Sequence, residues 1–269
     1  MTAVFACTLF SSSKGNVTYI KNKNEEFLID AGMSARAIEN SLNSLGTSLK
    51  NIKGIFITHE HSDHVKGLEI IAKYYKIPIY APFLSAICIR NMSPYLSDNV
   101  DVFDDGEVKE FAETRVNAYR TPHDSDGSVC YRFELGNTTL GYATDIGHIS
   151  KNVTEALSKC DSVVIESNHD VDLLKNGAYP FSLKKRILGD YGHLSNTSCA
   201  AFVPYLVQNG TKSIVLAHLS LENNRPEIAF SETNGALAAK GIAVCRENII
   251  GDVCLAVAPP TSICNITID

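Results

Sequence analysis

The stretch FITHEHSDHVKG, residues 56–67, sets His59, His61 and His64 with Asp63 inside six residues, in a chain with eight histidines in all. Imidazole and carboxylate are ligands of zinc, manganese and iron, so this density points to a metal site. His59 and His61 stand two apart, and in extended backbone both side chains lie on one side and can grip one ion. Asp63 and His64 follow on what reads as the first turn of a helix, turned away from that pair, which suits a second ion nearby. A polar capping loop with incidental histidines is the competing reading, and it accounts poorly for four ligand-type residues in so short a span.

Four further polar spots close apolar runs in the same manner. YRTPHDSDG carries His123 and Asp124, GYATDIGH carries Asp145 and His148, VVIESNHD carries Glu166 and His169, and VLAHLS carries His218. Singly each is weak, because a lone histidine commonly caps an element or fills a core. Together they form a series of ligand-type groups at strand ends, where loops on a rigid scaffold carry chemistry.

The elements that must position these groups alternate. AVFACTLF, NVTYIKN and EFLIDAG read as strands separated by the turn-prone SSSKG and KNKNE. Ser34 is placed to cap a helix through ARAIENSLNSLG that Gly46 ends. IKGIFIT then reads as a buried strand, VKGLEIIAKYYK as a helix and IPIYAP as a strand. Strands follow in VKEFAETRVNAYRT, VCYRFEL and TLGYATD, a short helix in NVTEALSKC, and a strand in DSVVIES. In the last third a helix through SNTSCAAFVPYLVQNG is capped at Ser195 or Asn196 and should kink at Pro204. KSIVLAHLS is a strand, Pro226 opens a helix through EIAFSETNGALAAKG, and IAVCRE and VCLAVA read as final strands. Strand blocks alternating with helices in both halves imply sheet covered by helices, in one doubly wound sheet or two packed ones.

Composition narrows the function classes. The 269 residues can bury a sizeable core, and no linker, repeat or low-complexity segment divides them, so one domain over 1–269 is expected. A net charge of −6 argues against an extended nucleic-acid-coating surface, and leaves room for a nuclease that grips its substrate locally. No apolar run reaches the ~18 residues that span a bilayer, and the N-terminus lacks the basic segment of a signal peptide, so a cytoplasmic protein is expected. The eight cysteines are scattered with no CxxC pair and read as reduced thiols, most of them buried.

THEHSDH resembles the HxHxDH signature of the metallo-β-lactamase superfamily, and TPHD, ATDIG and LAHLS are similar to its remaining motifs in the same order. The resemblance implies a four-layer αββα sandwich, an α/β (α+β) fold with a two-metal site at one edge. It assigns His59, His61 and His123 to a first ion, Asp63, His64 and His218 to a second, and Asp145 as the bridge. The ions are two divalent metals, zinc or manganese, with iron a further choice. A bridging aspartate goes with phosphodiesterases, nucleases and thioester or lactone hydrolases of the superfamily, whereas true β-lactamases usually carry a cysteine near that point.

SSSKGN, FLIDAG, FITHEHSDH, ESNHD and GHLSN together look like the YycJ/WalJ group, related to RNase Z and to PhnP-type phosphodiesterases. Neither a β-CASP insertion nor the RNase Z arm is evident. The resemblance puts Glu166 and His193 where RNase Z-like enzymes move a proton to the leaving oxygen, the carboxylate orienting the imidazole as general acid. Asp63 joins them as a catalytic candidate. The alternative for this pair is a helix cap and a structural ion pair. Ser13, Lys14 and Asn16 lie in a loop that reads either as a phosphate-binding nest or as a plain hairpin turn. Asn168 and His169 reach the site or merely line its pocket, and His148 reads as structural or as a support behind the ligands. Lys184, Lys185 and Arg186 form either a local basic patch or a solvated helix face.

The leading expectation is a two-metal phosphodiesterase or exonuclease that cleaves nucleic acid by in-line attack of a metal-bridging hydroxide. One alternative is a small-molecule hydrolase of cyclic phosphodiesters, thioesters or lactones on the same site. Another is a non-catalytic metal-binding regulator. The expected partner is nucleic acid or a small phosphodiester, with no membrane, and a homodimer is left open.

Overall fold

In a computed structural model of the chain, residues 4–125, 127–245 and 250–268 are described. The chain first builds one sheet. β1 (Phe5–Ser12), β2 (Gly15–Asn22) and β3 (Glu25–Ile29) run antiparallel through tight turns. Helix α1 (Ala35–Ser44) crosses to β4 (Ile52–Phe56), and α2 (Ser62–Val65) and α3 (Leu68–Tyr75) cross to β5 (Ile79–Ala81). Helix α4 (Phe83–Met92) then leads to β6 (Val100–Val102), and β3 to β6 pair in parallel.

A second sheet follows the same plan. β7 (Val108–Glu110), β8 (Thr114–Arg120), β9 (Val129–Leu135) and β10 (Thr138–Ala143) are antiparallel. α5 (Lys151–Leu157) crosses to β11 (Ser162–Glu166). α6 (Val171–Asn176), α7 (Phe181–Ile187) and α8 (Asn196–Gln208) lead to β12 (Ser213–Ala217), and α9 (Pro226–Ala238) to β13 (Cys254–Val257). β10 to β13 pair in parallel, and β14 (Cys264–Ile266) returns to the outer edge of β1.

Strand alternation sorts the side chains into three buried layers. Phe27, Phe56, Tyr131, Phe133 and Val164 fill the space between the sheets. Their neighbours Leu28 and Ile55 face Ile38 and Leu42 of α1 and Ile71 of α3. Val163 and Ile165 face Val153 of α5 and Val203 of α8. The result is the αββα sandwich, two mixed sheets with helices on both outer faces.

Local signals explain most boundaries. Ser34 Oγ accepts from Ala37 N at 3.3 Å to cap α1, and Gly46 beyond its end has φ +76°. Ser195 caps α8 through Ser198 N at 3.1 Å, and α9 starts on Pro226. α8 holds Pro204 inside a single helical span. Two expectations are corrected. VKGLEIIAKYYK is broken, because Gly67 N–H turns to Ala31 O at 2.8 Å and a Cβ there would lie 2.4 Å from Met33 O. IAVCRE gives only an isolated bridge, Val244 to Val253, and its residues 246 and 247 lie outside the described residues. α4 was not anticipated, since apolar residues on both its buried and its exposed sides (Ile89, Phe83) leave no amphipathic stripe. α6 and α7 are too short for periodicity to show. No helix among the described residues is long and apolar enough to cross a membrane.

Candidate metal centre

The ligand-type groups follow the carboxyl ends of strands in both sheets: Asp30 after β3, His59 after β4, His123 after β8, Asp145 after β10, Glu166 at the end of β11, His218 after β12. Asp30, Asp145 and His218 have φ of +60°, +57° and +56°, left-handed backbone that few non-glycine residues adopt. Such turns aim side chains sideways off a strand, and their conformational cost concentrates at functional sites.

Three ligand sets converge. Ligand atoms of His59, His61 and His123 lie within 4.8 Å of one another, as do those of Asp63, His64 and His218, and those of His59, His64 and Asp145. Asp145 stands between the two histidine groups, with Oδ2 3.3 Å from His64 Nε2 and Oδ1 3.8 Å from His123 Nε2. His61 Nδ1 lies 3.4 Å from His123 Nε2, and Asp63 Oδ2 lies 3.5 Å from His64 Nε2 and 3.6 Å from His218 Nε2. The geometry thus brings together all seven residues read as ligands from the sequence.

Four of the five ligand histidines have the other ring nitrogen occupied. His64 Nδ1 lies 2.7 Å from Asp30 Oδ2, His218 Nδ1 2.7 Å from Glu166 Oε1, His123 Nδ1 3.1 Å from Gly192 O, and His59 Nδ1 3.0 Å from Thr58 Oγ1. Thr58 is anchored in turn, its N–H donating to Asp30 Oδ1 at 2.8 Å. Such outer contacts fix the tautomer and leave Nε2 pointing inward. His59 Nε2, His218 Nε2 and Asp145 Oδ2 are buried there without hydrogen-bond partners, a costly arrangement in a protein interior unless a cation is bound. The residues therefore fit a pair of divalent ions.

Electrostatics agree with that fit. Burial holds His59 and His123 below the ordinary imidazole range, keeping them neutral with a lone pair to offer. Burial would raise Asp145, but the His218 and His64 rings hold it well below the usual carboxylate range. Burial likewise opposes protonation of His218, yet Asp145, Asp63 and Glu166 lift it to about 10. Ionised carboxylates that favour a proton on the His218 ring will also favour a cation in its place.

Glu166 is fully buried and shared. Oε1 accepts from His193 Nδ1 at 2.9 Å as well as from His218, and Oε2 accepts from Leu194 N at 2.9 Å and Ile146 N at 3.0 Å. Against burial, the His193 and His218 rings bring its pKa down to about 2. Burial would lower His193, but Glu166 and Asp145 hold it above its ordinary value. His193, Asp63, Asp145, His218, Ser13 and Arg186 are among the residues lining an open cleft of about 340 Å³.

The remaining candidates separate. Ser13 and Lys14 form the exposed two-residue turn between β1 and β2, and Lys14 N donates to Ser12 Oγ at 3.2 Å. Asn16 is buried with Nδ2 3.0 Å from Ser12 O and 3.2 Å from His64 Nε2. Asn168 and His169 are buried and do not line the cleft. Asn168 Nδ2 donates to His218 O at 2.9 Å, and burial brings the His169 ring down to about 4. His148 is exposed, 2.9 Å from Asp190 O. Sequence reasoning missed Asp30 and Thr58 as orienting groups, although the aspartate of FLIDAG ends its strand as the ligands end theirs. Arg186, read from the sequence as part of a basic patch or a solvated helix face, stands at the cleft rim, where the guanidinium pairs with Asp124, Nη2 to Oδ1 at 3.0 Å.

Residues 13–218 match the Metallo-beta-lactamase superfamily. The chain belongs to the metallo-β-lactamase superfamily. Among its relatives in that superfamily, Exodeoxyribonuclease YycJ of Bacillus anthracis is 36% identical over 237 residues, 88% of this chain and 90% of that one. Exodeoxyribonuclease WalJ of Streptococcus pneumoniae is 35% identical over 240 residues, 88% of this chain and 89% of that one. The metallo-β-lactamase fold protein YhfI of Bacillus subtilis superposes with a TM-score of 0.69 at 11% identity, over 98% of this chain and all of that one, a likeness of fold. Family and site chemistry agree on a metal-dependent hydrolase.

Proposed function

We propose that this member of the superfamily is a two-metal exodeoxyribonuclease that removes nucleotides from DNA ends. One observation carries the reading: Asp145 lies between the two ligand groups, with His193 Nδ1 3.6 Å from its Oδ1 on the open side. The nearly full-length likeness to two exodeoxyribonucleases supports DNA as the substrate. It goes with the cytoplasmic location expected from the sequence.

In this proposal His59, His61 and His123 hold one ion, Asp63, His64 and His218 the other, and Asp145 both; zinc, manganese or iron suits these donors. When bound, such ions supply an activated water and offset charge at phosphorus. The chain does the rest. Asp30, Thr58, Gly192 O and Glu166 orient the ligand rings. Glu166 accepts the Nδ1 proton of His193, so His193 Nε2 is the ring atom that hands a proton to the leaving oxygen. Ser13 and Arg186 border the space where the strand must lie.

The test is stepwise degradation of end-labelled single- and double-stranded DNA, with matched RNA, under titrated Mn²⁺ and Zn²⁺. Single-nucleotide release from DNA ends is expected. Protein with two ions bound that cuts none of these substrates would refute the proposal.

A further inference from the structure

Arg186 belongs to two clefts. Besides the metal cleft it borders a groove of about 440 Å³ along α7, whose lining includes Lys185, Tyr191, Ser182 and Gly189. Positions 182, 185, 186 and 189 continue helical spacing, so one face of α7 and its extension forms the wall of this groove. The volume falls in the range of small-ligand sites, about 300–1,000 Å³, enough for one nucleotide and far short of a duplex.

The groove's lining carries two cations, Lys185 and Arg186, and two carboxylates, Asp124 and Asp190, in a chain of net charge −6. Lys184, Lys185 and Arg186 crowd the last turn of α7. Lys184 Nζ donates to Lys175 O at 2.8 Å and Arg186 is held by Asp124, whereas Lys185 is exposed with no carboxylate in ion-pairing reach among the described residues. Of the two carboxylates in the lining, Asp124 is neutralised by Arg186, and Asp190 is exposed to water and its counter-ions. Aromatic rings are presented beside these charges: Tyr191 is 62% exposed in the groove, and Phe181, one turn before Lys185, is 83% exposed. A free cation beside an uncovered ring is the combination that takes a single nucleic-acid strand, charge meeting phosphate and ring face meeting base.

We propose that this groove holds the nucleotide adjoining the scissile phosphate. The base stacks on Tyr191, the flanking phosphate meets Lys185, and Arg186 stands at the passage between groove and metal cleft. The inference rests on the DNA reading above and adds to it that the enzyme engages an unpaired end.

The test compares a short single-stranded DNA with bis(p-nitrophenyl) phosphate, which carries neither a nucleobase nor a flanking phosphate, on the intact metal-loaded protein. Tyr191→Ala should raise KM for DNA about tenfold relative to KM for the aryl diester, the size of one lost base stack. Tyr191→Phe, which keeps the ring, should restore the ratio. Lys185→Ala should reduce the salt slope of DNA KM by about 0.7, as one phosphate contact on a single strand contributes. Both positions are exposed, and melting curves check that the variants fold. Unchanged ratios and slope, or parallel loss on both substrates, overturn the proposal. Should the wild-type protein cut no DNA, the nuclease reading has failed and the groove is read separately, by anisotropy of a labelled oligonucleotide in EDTA. Weaker binding by Tyr191→Ala then supports the groove, and equal binding, or none by wild type, overturns it.

Discussion

Oε1 of Glu166 accepts from both His193 and His218, so a change there disturbs a proton donor and a ligand at once. His193→Ala should lower kcat on DNA by about 10²–10⁴, the usual contribution of a general acid, with metal content by elemental analysis unchanged. On bis(p-nitrophenyl) phosphate the loss should be small, because that leaving group departs without a proton; equal losses would exclude the acid role. Glu166→Gln should also weaken metal affinity about 10–100-fold, read by chelator competition. Adding His193→Ala to it should cost less than the two single effects combined. At this scale the sequence was most legible where ligands are neighbours, as in residues 59–64. Asp30 escaped because its role is defined only by the 2.7 Å approach to His64, a contact between residues 34 apart in the chain.

The site depends on one very short element. α2 has four residues, too few to be stable alone, and it carries Asp63 and His64. It is held against the turn after β3: Ala31 N donates to His64 O at 2.8 Å, and a Cβ on Gly32 would fall 1.7 Å from Asp63 O and 2.6 Å from Asn16 N. Gly32→Ala must therefore push α2 away. It is expected to cost about 1–3 kcal/mol in urea unfolding and to weaken one ion more than the other in a metal titration. An ordinary melting curve with both ions bound normally would contradict this. The caps Ser34 and Ser195, the apolar spacing of α1 and the first-turn Pro226 made α1, α8 and α9 legible beforehand, whereas α6 and α7 are too short for periodicity to show.

In the whole molecule the cluster is a seam. His59, His61, Asp63 and His64 issue from the first sheet and His123, Asp145 and His218 from the second, so ions held by both would tie the halves of the sandwich together. Removing both with EDTA should lower Tm by about 10–20 °C, as follows from roughly 2.7 kcal/mol for each ion at 100 times Kd and 2–4 °C per kcal/mol. Calorimetry of chelated and metal-loaded protein measures it, and coincident curves would deny the ions any such role. That there are two packed sheets rather than one doubly wound sheet could not be read from periodicity. Alternation in Phe27–Ile29 looks the same whether the far face meets a helix or a second sheet.

Six described non-glycine residues adopt left-handed backbone; three, Asp30, Asp145 and His218, belong to the site, and the others are Lys23, Lys76 and Lys159. Glycine would relax the backbone at each of the six. Lys76→Gly and Lys159→Gly, at exposed turns, should add about 0.5–1 kcal/mol by urea unfolding with nuclease activity intact. At the other three, the same exchange would also remove a buried side chain, leaving His64 and Thr58 without Asp30 or the ions without Asp145 or His218, a loss larger than the backbone gain. Left-handed backbone at those positions is thus held in place by the contacts of the site, and the same conformation at the exposed lysines is held by none of these.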